Sequence, residues 1–301
     1  MCGIAGYLDK GGGKVEVGRL VLRMLEALGS RGPDSAGVAL YAERPGGELV
    51  LRVKLGEDGR PEMYVPRVVE QAGKAGQVRQ AQQTAEYLWL TLDSREEPRQ
   101  LERAIESAGP GVEVVSMGRQ LEIIKQVGSP QNLDATYAIS RFMGSHGLGH
   151  TRLSTESRID LSHSQPFWAH GYPDLAVVHN GHICNYHKLR RIYEQQGHRF
   201  YTENDSEIIG MYLAGRLGEG LSLRQAMDAS MGDLDGSFSY LAATPGEFGF
   251  AKDPFAFKPL LYAETEGFVA VATEEIALRA ALGGEYEARE AQAGEVRVWQ
   301  R

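Results

Sequence analysis

The chain has 301 residues, of which 42% are hydrophobic and 24% are charged, and these proportions are typical of a globular protein with a sizeable core. Its formal net charge is −8 at pH 7 without any long run of lysine and arginine, which disfavours a nucleic-acid-binding protein. No apolar stretch approaches the roughly 18 residues needed to span a bilayer. The N-terminus lacks the features of a signal peptide, and two cysteines are too few for a disulfide framework, so we expect a cytoplasmic protein without a membrane partner.

Ten short apolar runs predict β-strands, and several are apolar on both faces, as in strands buried between two layers. In chain order they are residues 3–8, 37–41, 48–55, 148–153, 175–179, 237–243, 249–252, 260–263, 268–272 and 295–299. Apolar residues at helical spacing predict helices around residues 20–28, 186–193, 208–213 and 274–282. Asp205 or Ser206 is a candidate N-cap for the third of these helices, and Thr273 for the fourth.

Residues 57–143 differ from the rest of the chain, because they are rich in Gln, Glu, Arg and Ala. Their pattern predicts helices over 68–90 and 98–108, a short strand at 112–116 and more helix after it. We therefore expect a helical insertion, residues 57–143, within a single domain that spans residues 1–301. A small, separately folded module is the alternative.

Cys2 becomes the first residue of the chain if Met1 is removed, which a side chain as small as that of cysteine permits. Its thiol is then a good nucleophile. The free α-amine has a reference pKa of about 7.7–8.0 and can act as the base near neutral pH. The alternative is that Cys2 is an ordinary residue without a catalytic role.

Asn180 and Gly181 follow the apolar run 175–178 and allow two interpretations. In the first they form an oxyanion hole, with the Asn180 carboxamide and the Gly181 backbone N–H as donors. Loss of one such donor costs ~10²–10³ in rate in enzymes where it has been tested. In the second they form a turn, because both residue types tolerate positive φ.

Arg152 and Asp205 are candidate ligand-binding residues of opposite charge. Arg152 stands at the end of a predicted buried strand, where its charge needs a partner. An internal ion pair would satisfy it, and so would a carboxylate ligand held by both arms of the guanidinium. Asp205 is either a helix cap or the receptor for the ammonium group of a ligand.

Four potential zinc ligands, His179, His182, Cys184 and His187, lie within nine residues. Their spacing is not that of a known closed site, and the segment crosses a predicted strand end, a turn and a helix start. We therefore expect no metal site.

Seven short motifs occur in a fixed order along the chain. They are MCGIAG at 1–6, RGPDSAG at 31–37, GHTRLST at 149–155, SQPF at 164–167, HNG at 179–181, NDSE at 204–207 and DGSF at 235–238. Together they resemble the glutamine-hydrolysing domain of class II glutamine amidotransferases, which are N-terminal-nucleophile hydrolases. The resemblance covers most of the chain except roughly residues 57–143. It implies an α+β fold, the four-layer αββα sandwich.

The resemblance also implies a catalytic mechanism. Cys2 would attack the side-chain amide carbon of L-glutamine, and its own α-amine would accept and return the proton. Asn180 and Gly181 would stabilise the oxyanion. Ammonia would leave, and water would hydrolyse the remaining thioester to glutamate.

The substrate-binding residues implied by the resemblance lie in three of the motifs. Arg152, supported by the region of Thr155, would hold the glutamine α-carboxylate, and Asp205 would hold its α-ammonium group. Arg31 and Asp34 would form the wall beside the nucleophile.

Bifunctional relatives continue into a synthase domain that consumes the ammonia, whereas this chain ends at Arg301 without a phosphosugar, nucleotide or flavin motif. We therefore expect no cofactor in this chain and an acceptor site on a separate synthase subunit. The SQPF motif and the VHNGHI run at 178–183 most resemble the amidotransferase part of glutamate synthases. This implies a subunit of a glutamate synthase-like complex, including the variant that makes N-methylglutamate. Many relatives have an aromatic residue directly after the arginine that corresponds to Arg152, whereas this chain has Leu153.

Two other functions stay open. The first is a catalytically silent regulatory or assembly subunit with the same fold, although a purely structural role would not require Cys2, Arg152, Asn180, Gly181 and Asp205 together. The second is an N-terminal-nucleophile amidohydrolase that acts on another amide, although opposite charges suited to an α-amino acid favour glutamine.

Overall fold

Strands and helices are interspersed along the chain in the computed structural model, which describes residues 2–44, 46–153 and 158–301. The strands of this part of the chain are β1 (Gly3–Asp9), β2 (Ser35–Tyr41), β3 (Leu49–Lys54), β4 (Gln77–Thr84), β5 (Tyr87–Asp93), β6 (Glu113–Gly118), β7 (Leu121–Val127), β8 (His146–Arg152), β9 (Phe167–Trp168), β10 (Ala176–Ile183), β11 (Gly236–Thr244), β12 (Glu247–Lys252), β13 (Leu261–Glu264), β14 (Phe268–Ala272), β15 (Ala288–Glu290) and β16 (Val296–Gln300). The α-helices are α1 (Val17–Ala27), α2 (Val65–Ala75), α3 (Pro98–Glu106), α4 (Pro130–Tyr137), α5 (Tyr186–Gln195), α6 (Ser206–Gly218), α7 (Leu223–Asp233) and α8 (Glu275–Ala281). Each of the ten predicted strands and four predicted helices outside residues 57–143 is present near its expected position.

Two antiparallel sheets form the centre of the structure. One has seven strands in the order β15-β13-β14-β1-β8-β2-β7, and the other has five in the order β16-β12-β11-β10-β9. In the seven-stranded sheet, Gly3 of β1 is opposite Thr151 of β8, and Ser35 of β2 is opposite Arg152. Because neighbouring strands run in opposite directions, the start of β1, the end of β8 and the start of β2 share one edge of the sheet.

The two sheets pack face to face with helices on both outer sides. The inner faces approach closely, since a Cβ added to Gly6 would lie 2.7 Å from the ring of Phe248 on the opposite sheet. The hydroxyl of Tyr41 also crosses the interface and donates to the Ala243 carbonyl at 2.6 Å. Helices α1 and α8 cover the seven-stranded sheet, and α6 and α7 cover the five-stranded sheet. This order of layers is the predicted αββα sandwich of the α+β class.

Helix α1 illustrates how the apolar spacing produces a layer. Its buried side chains recur every three to four residues, which places them on one face of the helix. Val21 and Leu25 of this face pack against β8, where a Cβ on Gly149 would lie 2.7 Å from Val21 and 2.9 Å from Leu25. The glycine therefore allows the helix to approach the strand closely.

The prediction of a helical insertion at residues 57–143 is wrong. Strands β3 to β6 form a separate four-stranded antiparallel sheet in the order β4-β5-β3-β6, with α2 and α3 alongside. This small sheet begins before residue 57 with β3, and β7 joins the seven-stranded sheet beside β2. The segment therefore mixes strands and helices, and it is not separable from the sandwich at the expected boundaries.

The predicted helix over 68–90 is correct only as far as the end of α2 at Ala75, because the composition of β4 is misleading. Its sequence, QVRQAQQT, has no apolar alternation, since β4 is a largely exposed edge strand that is formed by pairing with β5. The connecting turn consists of Ala85 and Glu86, with Ala85 at a φ of 48°, so it lacks the glycine or asparagine that usually indicates a hairpin. Strand pairing here overrides local helix propensity.

Two predicted helix caps are also wrong. Thr273 does not cap α8; its hydroxyl accepts the backbone N–H of Ile4 at 2.8 Å and holds β1 instead. Asp205 stands at the N-cap position of α6, but its carboxylate makes no capping bond and accepts a backbone N–H from β10. Helix α6 and the other helices of the described residues are too short or too polar to cross a membrane.

Candidate active site

Cys2 lies half-buried just before β1, at the sheet edge that the end of β8 and the start of β2 share. Its sulfur is 3.9 Å from the carbonyl oxygen of Leu153, the residue after β8. Its own carbonyl oxygen accepts two hydrogen bonds, from Asn180 Nδ2 at 3.1 Å and from Arg31 Nε at 3.3 Å. The opposite sheet and the loop before β2 therefore both contact the residue that carries the thiol.

Asn180 and Gly181 lie inside β10 and do not form a turn. They are opposite Ser239 and Phe238 of β11, and the strand continues to Ile183. Gly181 has a φ of 140°, and a Cβ added to it would lie only 2.2 Å from the carbonyl oxygen of Ser237. This position consequently requires glycine, both for its backbone angle and for the close approach of β11.

Arg152 ends β8 and is 5% exposed. One terminal nitrogen donates to the Arg158 carbonyl at 3.0 Å. Burial lowers the pKa of its guanidinium, and the negative potential of Cys2, Asp160 and Asp34 opposes that shift. A buried cation is thus held close to Cys2 and to the carboxylates of Asp160 and Asp34.

Asp34 and Arg31 belong to the loop that precedes β2. The Asp34 backbone N–H donates to the Arg152 carbonyl at 3.0 Å, so it continues the pairing of β2 with β8. Arg31 forms a salt bridge with Glu274, just before α8. Sequence reasoning missed Glu274, because nothing in the sequence around it indicates a contact with Arg31, 243 residues earlier in the chain.

Asp205 reaches β10 from the start of α6. Its Oδ2 atom accepts the backbone N–H of Ile183 at 2.7 Å, two residues after Gly181. Its side chain is 16% exposed and lies 3.5 Å from Nδ1 of His182, which is itself 70% exposed. The carboxylate therefore stays accessible at the end of the strand that carries Asn180. Thr155, the remaining predicted site residue, lies outside the described residues.

A buried hydrogen-bond network lies directly behind Asn180. His179 donates its backbone N–H to Gln165 Oε1 at 2.6 Å, and its Nδ1 is 2.8 Å from the Ser206 hydroxyl. Gln165 Nε2 donates to the His179 carbonyl at 3.1 Å and to the Ser206 hydroxyl at 3.0 Å. His150 Nε2 also donates to the His179 carbonyl, at 3.2 Å. Sequence reasoning considered Ser206 as a helix cap and His179 as a zinc ligand, and it assigned no role to Gln165 and His150, although all four stand in the quoted motifs.

Of the histidine-rich run 179–187, His179 belongs to this network. Burial lowers the pKa of His179, which favours the neutral ring, and Ser206 occupies its Nδ1 position. Among the residues that the structure describes, no group of three or more His, Cys, Asp or Glu side chains is arranged to hold a metal ion.

A family model described as "Glutamine amidotransferase domain" matches residues 150–280. The chain is 39% identical to the "putative glutamine amidotransferase" of Methanothermobacter thermautotrophicus over 306 aligned positions, which cover 100% of both proteins. It is 34% identical to the glutamine amidotransferase-like protein GlxB of Rhizobium meliloti, over 92% of this chain and 91% of that protein.

Two solved structures share the fold. The glutamine phosphoribosylpyrophosphate amidotransferase from B. subtilis, complexed with ADP and GMP, superposes with a TM-score of 0.64 at 20% identity, over 99% of this chain and 47% of that chain. A structure described as the allosteric regulatory enzyme of purine biosynthesis superposes with a TM-score of 0.65 at 20% identity, over 99% of this chain and 46% of that chain. This chain thus spans a little less than half the length of either. With the αββα sandwich and two relatives matched over nearly their whole length, the chain belongs to the class II glutamine amidotransferases.

Proposed function

We propose that the protein hydrolyses L-glutamine to glutamate and ammonia through a thioester on Cys2, after removal of Met1. The observation that carries this proposal is the hydrogen bond from Asn180 Nδ2 to the Cys2 carbonyl oxygen, 3.1 Å long, across the two sheets. This contact supports the assignment of the Asn180 carboxamide as an oxyanion donor, because it brings that group within hydrogen-bond distance of Cys2.

The reaction proceeds in two steps. The Cys2 sulfur attacks the side-chain amide carbon while the thiol proton passes to the α-amine. The oxygen of the tetrahedral adduct carries the negative charge, and the Asn180 carboxamide and the Gly181 N–H stabilise it. The α-ammonium returns the proton to the departing nitrogen, and ammonia leaves. Water then attacks the thioester, and glutamate and the free thiol are formed.

The two charged residues of the site suit a zwitterionic substrate. Arg152 on one sheet holds the α-carboxylate, and Asp205, bonded to the opposite sheet, holds the α-ammonium group. Their positions on two different layers fix the direction in which the amino acid lies. The side-chain amide then points toward Cys2.

The ammonia passes to a separate synthase subunit, which carries the acceptor site. The glutamate synthase-like character of the SQPF motif and of the 178–183 run supports a complex of that type, including one that makes N-methylglutamate. Full-length tagged protein purified from its native cells is expected to bring down a flavin and iron–sulfur subunit. Amide-¹⁵N-labelled glutamine supplied to that complex should then label the amino group of its product. Free ¹⁵N-ammonium with unlabelled product would contradict this part of the proposal.

Mass spectrometry tests the catalytic part directly. We expect a chain that lacks Met1 and carries a single adduct at Cys2 after treatment with a glutamine-like electrophile. Cys2→Ala should abolish ammonia release from glutamine while the circular dichroism spectrum stays unchanged. Cys184→Ala is the matched control, because Cys184 is the other cysteine and is exposed, and it should retain full activity. Active protein that retains Met1 would refute the role of the α-amine.

A further inference from the structure

The peptide group that precedes Asn180 is held by a side chain rather than by a neighbouring strand. On this side of β10, β9 pairs only at Trp168 with Ala176 and at Phe167 with Val177. Continued in the same register, Pro166 would be opposite Val178 and Gln165 opposite His179. The backbone pairing of β9 with β10 ends before these two residues.

Gln165 replaces the missing ladder with its carboxamide. The side chain accepts the His179 N–H at 2.6 Å and donates to the His179 carbonyl at 3.1 Å, so it satisfies both polar groups of one residue. Its backbone is held against β2, since a Cβ on Gly37 would lie only 2.3 Å from the Gln165 carbonyl oxygen. The Gln165 side chain is buried.

Ser206, the first residue of α6, connects Gln165 and His179 to that helix. Its buried hydroxyl is bonded to both Gln165 Nε2 and His179 Nδ1. Its neighbour Asp205 is bonded to the Ile183 N–H. The first turn of α6 thus holds β10 at two points, one on each side of Asn180 and Gly181.

We infer that Gln165 is a positioning residue, which together with Ser206 and His179 holds the oxyanion donor Asn180 and the ammonium-binding Asp205 as one rigid unit. We call these three residues the His179 clamp. The inference rests on the proposed glutaminase function. The clamp does not touch the reacting atoms, and it acts by keeping the Asn180 carboxamide at its distance from Cys2. Misplacement of a catalytic group by about 1 Å can cost ~10²-fold in rate.

Kinetics of Gln165→Met provide the test, since methionine has a similar shape and no amide. We expect kcat for glutamine hydrolysis to fall ~10²-fold, with a change in KM below about threefold, because Arg152 and Asp205 keep their charges. Gln126→Met is the matched control. Gln126 is half-buried and bonded to the Thr136 hydroxyl, on the edge strand β7, and its loss should leave kcat within about twofold.

A double-mutant cycle separates positioning from a general loss of structure. If Gln165 acts through Asn180, Gln165→Met should reduce the residual rate of an Asn180→Ala variant by less than about threefold, because the group to be positioned is gone. Independent effects that multiply in the double variant would overturn the inference. Should Gln165→Met fold poorly, Ser206→Ala removes a single hydroxyl and is expected to reduce kcat by about tenfold.

Hydrogen–deuterium exchange tests the clamp without any activity. The His179 amide should exchange at least about tenfold faster in Gln165→Met than in the wild-type protein or in Gln126→Met. Unchanged exchange would overturn the inference. If the wild-type protein does not hydrolyse glutamine, the proposed function fails by itself. If it does, and Gln165→Met matches Gln126→Met in kcat, only the clamp fails.

Discussion

The stability of the protein in mild acid should depend on His150, which is 0% exposed in the centre of β8. Its Nε2–H donates to the His179 carbonyl, whereas its Nδ1 atom has no hydrogen-bond partner among the described residues. A second proton would therefore create a buried cation with an unsatisfied N–H close to Arg152. Burial accordingly lowers the pKa of His150 from 6.5 to about 3.

The sign of the effect follows from proton binding. The unfolded chain takes up a proton at His150 as the pH falls below about 6.5, and the folded chain does so only near pH 3. Folding stability is therefore fully present above pH 7 and is lost between these two values. From the two pKa values, His150 contributes a loss of ~2 kcal/mol between pH 7.5 and pH 5. The loss reaches ~4 kcal/mol near pH 3.

Urea unfolding of His150→Gln at pH 7.5 and pH 5, followed by circular dichroism, measures this contribution. Glutamine keeps a donor for the His179 carbonyl but does not titrate, so the decrease in unfolding free energy between the two pH values should be ~2 kcal/mol smaller than in wild type. His146 is also buried, with a pKa lowered to about 4. Because it is present in both proteins, its contribution to the pH dependence cancels in the comparison.

The control is His182→Gln, because His182 is 70% exposed and makes no comparable buried contact. Its decrease in unfolding free energy should match that of wild type. If His150→Gln and wild type lose the same free energy of unfolding between pH 7.5 and pH 5, His150 does not remain buried and neutral in the folded protein, and the reasoning is refuted.

Three further substitutions test the substrate site and the fold. Arg152→Gln and Asp205→Asn each remove one charge and should raise KM for glutamine by about 10- to 100-fold, the usual effect of losing a charged hydrogen bond. Steady-state kinetics with an unchanged KM in both variants would contradict the assigned roles. Asp174→Ala removes the carboxylate that accepts the backbone N–H groups of Arg119, Gln120 and Leu121, at 2.8 to 2.9 Å. The free energy of unfolding in urea should fall by about 2–4 kcal/mol, whereas the exposed control Asp58→Ala should lose less than about 0.5 kcal/mol.

Much of the sandwich could be predicted from local sequence. Apolar runs with polar turns between them mark β1, β8, β10 and β11, since strands buried between two layers need apolar side chains on both faces. The order of the short motifs identified the family, because Cys2, the HNG motif and the NDSE motif each retain the residue types that the chemistry requires. Each of these strands and motifs is recognisable from a short stretch of sequence, without knowledge of the rest of the chain.

Other features depended on partners far away in the chain. Strand β4 has no apolar alternation and becomes a strand only because β5 offers it an edge with free backbone groups. Likewise, the positions of Asp205 and Thr273 before helices predict helix caps. In the fold, however, each side chain accepts a backbone N–H from a strand that is distant in sequence.

The candidate site shows the same division. Sequence alone indicated Cys2, Arg152 and Asn180 as separate residues, but sheet register decided that they meet at one edge of the sandwich. Gln165 and Glu274 had no local pattern that linked them to this edge, since a hydrogen bond or an ion pair leaves no periodicity in the sequence. Local patterns report which face of an element is buried, whereas the identity of a contact partner depends on the register and packing of the whole fold.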